Sequence, residues 1–169
     1  MNVYHYAKID DWNGIKRGSW KSDDIPGLGT YQRLNPYPYF GSNIQCSFSL
    51  LEPQPSDWLQ NKHFPYIWKD LKSITGPLLV EVNTNEVHDK VFVVDWAHVQ
   101  GFATENQRRL PEKYRHKTED EARKAYFKSM IHIDEFSKER SKLKYSLPEV
   151  IITEIVPFTS LRIPKIQQT

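Results

Sequence analysis

The sequence predicts one α+β domain that spans residues 1–169. Apolar residues recur with a period of two in some segments and with helical spacing in others, and the two kinds of segment alternate along the chain. A length of 169 residues lies in the usual range for a single domain and is sufficient to bury a hydrophobic core. The chain contains no internal repeat and no low-complexity tract that would indicate a different architecture.

The N-terminal segment predicts a strand followed by a short helix and a long loop. In "NVYHYA", at residues 2–7, β-branched and aromatic residues favour a pleated, half-buried strand. Asp10 or Asp11 can then cap a helix, and Gly18 is placed to end it. The run at 21–40 is rich in Gly, Pro and Tyr, which predicts an irregular loop of a length that usually indicates function or flexibility.

The middle of the chain predicts three strands and two helical segments. "IQCSFSLL", at residues 44–51, has strand character and ends before a pair of prolines. A turn of helix around Trp58 and a longer helix within residues 64–75 follow. "LLVEV", at 78–82, and "KVFVVDW", at 90–96, are strong strand candidates, and the polar connection between them predicts that they pair as a hairpin.

The C-terminal part begins with a basic, polar stretch at residues 101–117. Such a stretch predicts an exposed loop, and its clustered cations leave a phosphate-contacting surface as the alternative. Thr118 and Glu121 form a capping-box pattern that opens a helix, and a second helical piece follows at 133–142. "EVIITEIV", at 149–156, is the clearest strand pattern of the chain.

Composition and missing motifs exclude several classes of protein. A formal net charge of +2 does not indicate a strongly basic nucleic-acid surface, and a single cysteine, Cys46, excludes an intrachain disulfide framework. No phosphate loop, GxGxxG, HExxH or GxSxG motif occurs, which disfavours nucleotide hydrolases, Rossmann oxidoreductases, zincins and serine hydrolases. Neither a leader nor an apolar membrane segment is visible, so we expect a cytoplasmic protein without a membrane partner.

The histidines show no pair at the helical spacing typical of metal ligands, so the sequence predicts no metal site. They are His5, His63, His88, His98, His116 and His132.

Two short stretches, "VYHYA" near the N-terminus and "YSLPEVIITEIVP" near the C-terminus, resemble the outer motifs of the ADP-ribosyltransferase-like superfamily. That family begins with a strand of the type "YHYT" or "YHGT" and a short helix, and it places a glutamate at the start of a late strand. Glu149 stands at that position, and the match is closest to the DNA-modifying branch. The matched motifs cover about a quarter of the chain. The resemblance implies a central, mostly antiparallel, split β-sheet flanked by short helices. The chain also resembles small bacterial proteins, which implies no activity.

The resemblance further implies that NAD is the substrate, with ADP-ribose passed to a protein or nucleic-acid acceptor that the sequence does not define. Glu149 would bind the ribose 2′-hydroxyl and stabilise the cation that develops on the ribose, while His5 would bind ribose hydroxyls. These two are the candidate catalytic residues. The candidate NAD-binding residues are His5, Tyr6, Arg33, Tyr39, Ser47 and Ser49, where Arg33 would contact the pyrophosphate. Ser47, Ser49 or Tyr39 would supply the family's middle motif.

Strand alternation gives one reason for the "YHY" triplet. It places His5 on the opposite face from Tyr4 and Tyr6, so His5 can face a cleft while the tyrosines pack behind it. The plainer interpretations are a hydrogen-bonded core histidine and, for Glu149, a surface charge at a strand end. Glu154, within the same strand, is an alternative functional acid.

Two other functions remain open at this stage. One is a tRNA 2′-phosphotransferase-like enzyme on the same fold, which should carry more basic residues around the pocket than the sequence allows us to locate. The other is a non-catalytic binding module of a bacterial or phage regulator, which would use the aromatic loop at 21–40 as its contact surface.

Overall fold

Two antiparallel sheets form the centre of the molecule, in a computed structural model that describes residues 1–18, 26–30 and 46–165. The first sheet has the strand order β1 (Asn2–Ala7), β4 (Leu78–Asn83), β9 (Leu161–Arg162). The second has the order β3 (Ser47–Ser49), β7 (Pro148–Ile152), β5 (Val91–Asp95), β6 (Ile131–His132). A short separate ladder joins β2 (Gly27–Leu28) to β8 (Val156–Pro157).

Short helices flank these sheets, as the sequence predicts. The α-helices of the described residues are α1 (Ile9–Arg17), α2 (Ser56–Leu59), α3 (Ile67–Thr75), α4 (Ala97–Ala103), α5 (Glu119–Lys128) and α6 (Ile133–Leu143). Single 3-10 segments lie at Asn85–Lys90, Gln107–Arg109, Glu112–Tyr114 and Phe158–Ser160. The predicted α+β class and the antiparallel pairing are confirmed. None of the helices in the described ranges is long and apolar enough to cross a membrane.

The first strand and the ends of two helices follow the predicted pattern. β1 coincides with the "NVYHYA" run, and α1 ends at Gly18, whose φ of 75° is in the left-handed region that glycine adopts at low cost. Thr118 caps α5 by accepting a hydrogen bond from the Glu121 amide. The predicted aspartate cap of α1 is wrong, because Lys8 is the N-cap and both aspartates lie in the first turn.

The predicted hairpin between β4 and β5 is also wrong, because the two strands belong to different sheets. β4 lies between β1 and β9, and β5 lies between β7 and β6, so each already has a partner on both edges. The polar connection forms the 3-10 segment Asn85–Lys90 and carries the chain from one sheet to the other. Both strands are largely buried on both faces, which a two-stranded hairpin could not achieve.

Two further predicted boundaries are corrected by the structure. The strand predicted at 149–156 ends at Ile152, and the chain resumes extended pairing only in β8. The basic stretch at 101–117 is not a continuous exposed loop, because Leu110 and Tyr114 are buried within it. These two side chains anchor the stretch to the core while its arginines stay exposed.

One hydrophobic core holds the two sheets together. It contains Val3 and Val82 from the first sheet and Val93, Val150 and Ile152 from the second. On the other face of the second sheet, aromatic side chains of α5 pack against β5 and β7 in a separate cluster. The sheets are therefore fixed relative to each other, and the groove between their adjacent edges has a defined shape.

Candidate functional site

The adjacent edges of the two sheets, β1 and β3, meet at a single bridge and then separate. The amide of Tyr4 donates to the Leu50 carbonyl at 2.9 Å, and the amide of Leu50 donates to the Tyr4 carbonyl at 2.7 Å. In a continued antiparallel ladder, the next hydrogen-bonded pair after Tyr4 and Leu50 would be Tyr6 and Phe48. Instead, Nδ1 of His5 lies 2.6 Å from the Phe48 carbonyl oxygen. The imidazole thus bonds an edge carbonyl of β3 just where the strands part.

A hollow of about 200 Å³ opens at this separation. Its walls come from β1, β3, the start of β7 and the helices α2 and α3. The lining residues are Tyr4, His5, Tyr6, Phe48, Ser49, Leu50, Trp58, Leu71, Ile74, Thr75 and Glu149. His5 and Glu149, the two predicted catalytic residues, therefore line the same hollow, and Tyr6 and Ser49 lie beside them.

Glu149 is the second residue of β7 and lines the hollow. It is buried, with 4% of its surface exposed, so it is not the surface charge that a strand end alone would suggest. The hydroxyl of Tyr126, in α5, donates to its Oε2 at 2.9 Å. This bond holds one carboxylate oxygen in place and compensates part of the cost of burying the charge.

A buried network around Asp95 fixes the turn that precedes Glu149. The Asp95 carboxylate accepts hydrogen bonds from the amides of Ser146 and Leu147 and from the Tyr114 hydroxyl, the last at 2.6 Å. Burial and the adjacent carboxylate both raise the pKa of Tyr114, so its hydroxyl remains a donor. The Trp58 indole donates at 2.9 Å to the carbonyl of Pro148, the residue directly before Glu149. The backbone is therefore held on both sides of the approach to Glu149.

His5 is a neutral imidazole with one nitrogen turned to the protein backbone. Desolvation lowers its pKa below the usual 6.5, against a smaller upward effect of the Phe48 carbonyl. Because a carbonyl only accepts, Nδ1 carries the hydrogen and Nε2 carries the lone pair. An imidazole in this tautomer can accept a hydrogen bond from a ligand hydroxyl.

The two candidate serines of β3 differ in their relation to the hollow. Ser49 lines it and Ser47 does not, although both lie on the same face of the strand. Both hydroxyls are buried and have no hydrogen-bond partner among the described residues. A buried hydroxyl without a partner is unfavourable unless a ligand supplies one, so Ser49 is better placed than Ser47 to bind a ligand in the hollow.

Tyr6 contributes a fixed aromatic wall. Its hydroxyl donates to the Pro53 carbonyl at 2.7 Å, and its ring packs edge-on against Trp68 with centroids 5.7 Å apart. Lys72 lies over the same ring, with Nζ 3.5 Å from the centroid, and burial lowers the pKa of this lysine. The prediction that His5 faces the cleft while Tyr4 and Tyr6 pack behind it is wrong, because the parting of the strands leaves all three residues lining the hollow.

The remaining wall is apolar and comes from α3. This helix ends against β1 at Gly76, whose φ is 98° and whose Cβ, if present, would lie 2.7 Å from the Ala7 carbonyl oxygen. Only glycine permits that approach. It brings Leu71 and Thr75 over the hollow, while Ile74 stands 71% exposed at its rim.

Some predicted residues are not tested by this geometry. Arg33 and Tyr39 lie outside the described residues, as does most of the loop at 21–40. Glu154, the alternative acid, is exposed beyond the end of β7 and does not line the hollow. Sequence reasoning did not find Tyr126, Asp95 or the role of Trp58, since each acts through a contact at least 23 residues away along the chain.

Comparison with known proteins gives no match: no protein-family model, curated protein or solved structure is significantly similar to this chain. The site therefore has to be interpreted from its own chemistry.

A pH-dependent stability follows from the neutral state of His5. Below pH 6.5 the unfolded imidazole takes up a proton that the folded one resists, so the free energy of unfolding should fall as the pH drops through 6.5. His98, whose pKa burial lowers to about 4, adds to the same loss between pH 6.5 and 4. In His5→Asn the amide nitrogen can retain the bond to Phe48 without titrating. We expect urea unfolding of this variant to be less sensitive to pH between 7.5 and 5; identical slopes in both proteins would contradict the assignment.

Proposed function

We propose that this protein cleaves the bond between nicotinamide and ribose in NAD and transfers ADP-ribose to a protein or nucleic-acid acceptor. The observation that supports the proposal most is the shared hollow of His5 and Glu149, at a separation between two antiparallel sheets. The outer-motif resemblance of the sequence suggests the same activity. The two arguments are independent, since one concerns residue types and the other their position in space.

The proposed reaction breaks the C1′–N bond, and nicotinamide leaves as a neutral molecule with the bonding electron pair. Positive charge develops on the ribose ring, as it does in glycoside hydrolysis. The Glu149 carboxylate stabilises this charge and accepts a hydrogen bond from the 2′-hydroxyl. An acceptor nucleophile then attacks C1′ and releases its proton to solvent. The burial of Glu149 makes the electrostatic stabilisation stronger than it would be in water.

His5 and Ser49 orient the substrate in this scheme. Nε2 of His5 accepts a hydrogen bond from a ribose hydroxyl, and the Ser49 hydroxyl gains the partner that it lacks among the described residues. The rings of Tyr4, Tyr6 and Trp58 provide aromatic surface for the flat nicotinamide. At about 200 Å³ the hollow is smaller than most drug-sized ligand pockets, so it holds the nicotinamide-ribose end rather than the whole dinucleotide.

The direct test is the release of nicotinamide from NAD, measured by chromatography. The protein would be incubated with NAD alone and with mixtures of protein and nucleic-acid acceptors. We expect release by the wild type and about tenfold slower release by His5→Asn, which corresponds to the loss of one substrate hydrogen bond. Intact NAD after long incubation in every mixture would contradict the proposal and would favour a binding module.

A further inference from the structure

A second cluster of chemically active side chains lies at the opposite edge of the second sheet. His88 belongs to the segment between β4 and β5, His132 ends β6 and is the N-cap of α6, and Asp134 lies in the first turn of α6. The pairing of Phe92 with His132 brings together two histidines that are 44 residues apart in sequence. The hollow of His5 and Glu149 adjoins β3, whereas this cluster adjoins β6, so the two are separated by the width of the sheet.

The distances within the cluster match those between ligands of one metal ion. Nε2 of His88 lies 3.0 Å from Oδ2 of Asp134, Nδ1 of His132 lies 3.6 Å from the same oxygen, and the three ligand atoms all lie within 4.8 Å of one another. Tetrahedral ligands about 2.0–2.1 Å from Zn²⁺ are about 3.3 Å apart, so a small adjustment brings these atoms around one ion.

The hydrogen bonds around His132 favour metal binding. Its Nε2 lies 3.1 Å from the His88 carbonyl oxygen, and since a carbonyl only accepts, Nε2 carries the hydrogen and Nδ1 carries the lone pair. A metal-binding histidine usually donates its second ring N–H to a backbone carbonyl or a carboxylate in this way. The Nδ1 lone pair accepts only a long bond, 3.3 Å, from the Asp134 amide. It therefore points toward the Asp134 side of the cluster.

The charge and accessibility of the cluster are also suitable. Asp134 supplies a carboxylate, which brings a negative charge to the cation. The side chains of His88, His132 and Asp134 are 39%, 30% and 56% exposed, so an ion can reach them and retain a water in its fourth position.

We infer that His88, His132 and Asp134 form a binding site for a divalent transition-metal ion of the Zn²⁺ type. Two imidazoles and one carboxylate suit Zn²⁺ and its neighbours in the first transition series, whereas Mg²⁺ and Ca²⁺ prefer oxygen ligands alone. The ion would tie the segment Asn85–Lys90 to the first turn of α6. This inference does not depend on the proposed activity toward NAD.

The test uses the full chain, freed of metal with a chelator and titrated with Co²⁺ and then Zn²⁺. We expect one equivalent of Co²⁺ to give visible ligand-field absorption that Zn²⁺ abolishes. Since changing an outer-shell partner of a metal ligand alone costs 10–100-fold, His88→Gln and His132→Gln should weaken binding by roughly 100-fold or more. Asp134→Asn, a third variant of similar shape, should weaken it as well. His63→Gln, at an exposed histidine outside the cluster, serves as the control and should bind as the wild type does.

A second measurement reports the same site through stability. Binding to the folded state alone raises the melting temperature in proportion to the logarithm of the metal concentration. Zn²⁺ should raise it in the wild type and in His63→Gln, and not in His88→Gln. Absence of Co²⁺ binding to the wild type, or unchanged binding by the His88 and His132 variants, would overturn the inference.

Discussion

Replacement of Glu149 by glutamine should reduce nicotinamide release from NAD by at least about 100-fold, which corresponds to roughly 2.7 kcal/mol of transition-state stabilisation. The amide is isosteric with the carboxylate and can still accept the hydrogen bond from Tyr126, so the hollow keeps its shape. What the variant loses is the negative charge beside the ribose. We therefore expect the loss in kcat, with the KM for NAD changed only a few-fold.

Two further variants distinguish this role from a general effect of charge. Glu154→Gln removes the same charge from the same segment at an exposed position, and its activity should equal that of the wild type. Tyr126→Phe retains the carboxylate but removes the bond that positions it, and an intermediate loss of about tenfold is expected. Equal losses in the Glu149 and Glu154 variants would show that Glu149 has no special role.

Replacement of Asp95 by alanine should lower the free energy of unfolding by about 4 kcal/mol. The carboxylate is buried, with 1% of its surface exposed, and it accepts bonds from three backbone amides and from the Tyr114 hydroxyl. Alanine would leave the buried amides of Ala97 and Leu147 and the Tyr114 hydroxyl without this acceptor, while the Ser146 amide keeps the Tyr114 oxygen at 3.2 Å. Urea denaturation followed by circular dichroism measures the difference.

The matched control is Asp89→Ala, which removes an aspartate whose side chain is 77% exposed and forms an ion pair with its neighbour Lys90. A change within about 0.5 kcal/mol is expected there. The Asp95 network also holds the backbone at Ser146 and Leu147, just before Glu149. The Asp95→Ala variant should therefore show reduced activity toward NAD as well. A loss below about 1 kcal/mol in Asp95→Ala would contradict the role given to the network.

The sequence was sufficient to predict those parts of the fold that depend on local patterning. β1, the glycine end of α1 and the Thr118 cap of α5 are determined by neighbouring residues, and each is found as predicted. The β4–β5 hairpin was wrong because strand pairing depends on which other edges compete for each strand. That competition involves β1, β7 and β9, and no local pattern reports it.

The candidate site shows the same division. The residue types of His5 and Glu149 are visible in the two quoted motifs, and the structure places both beside one hollow. Tyr126 and Asp95 were not found, since their importance lies in hydrogen bonds to distant segments. The cluster of His88 and His132 was missed for the same reason, because β5 and β6 align residues that helical spacing cannot relate.

The most direct measurement of the central claim is a titration with NAD followed by tryptophan fluorescence, because Trp58 lines the hollow. A saturable change in fluorescence is expected for the wild type at NAD concentrations up to the millimolar range. The change should be weaker in His5→Asn, and in Trp58→Phe the part of it that comes from Trp58 should be lost. A flat response of the wild type up to several millimolar NAD would contradict binding of the dinucleotide between His5 and Glu149.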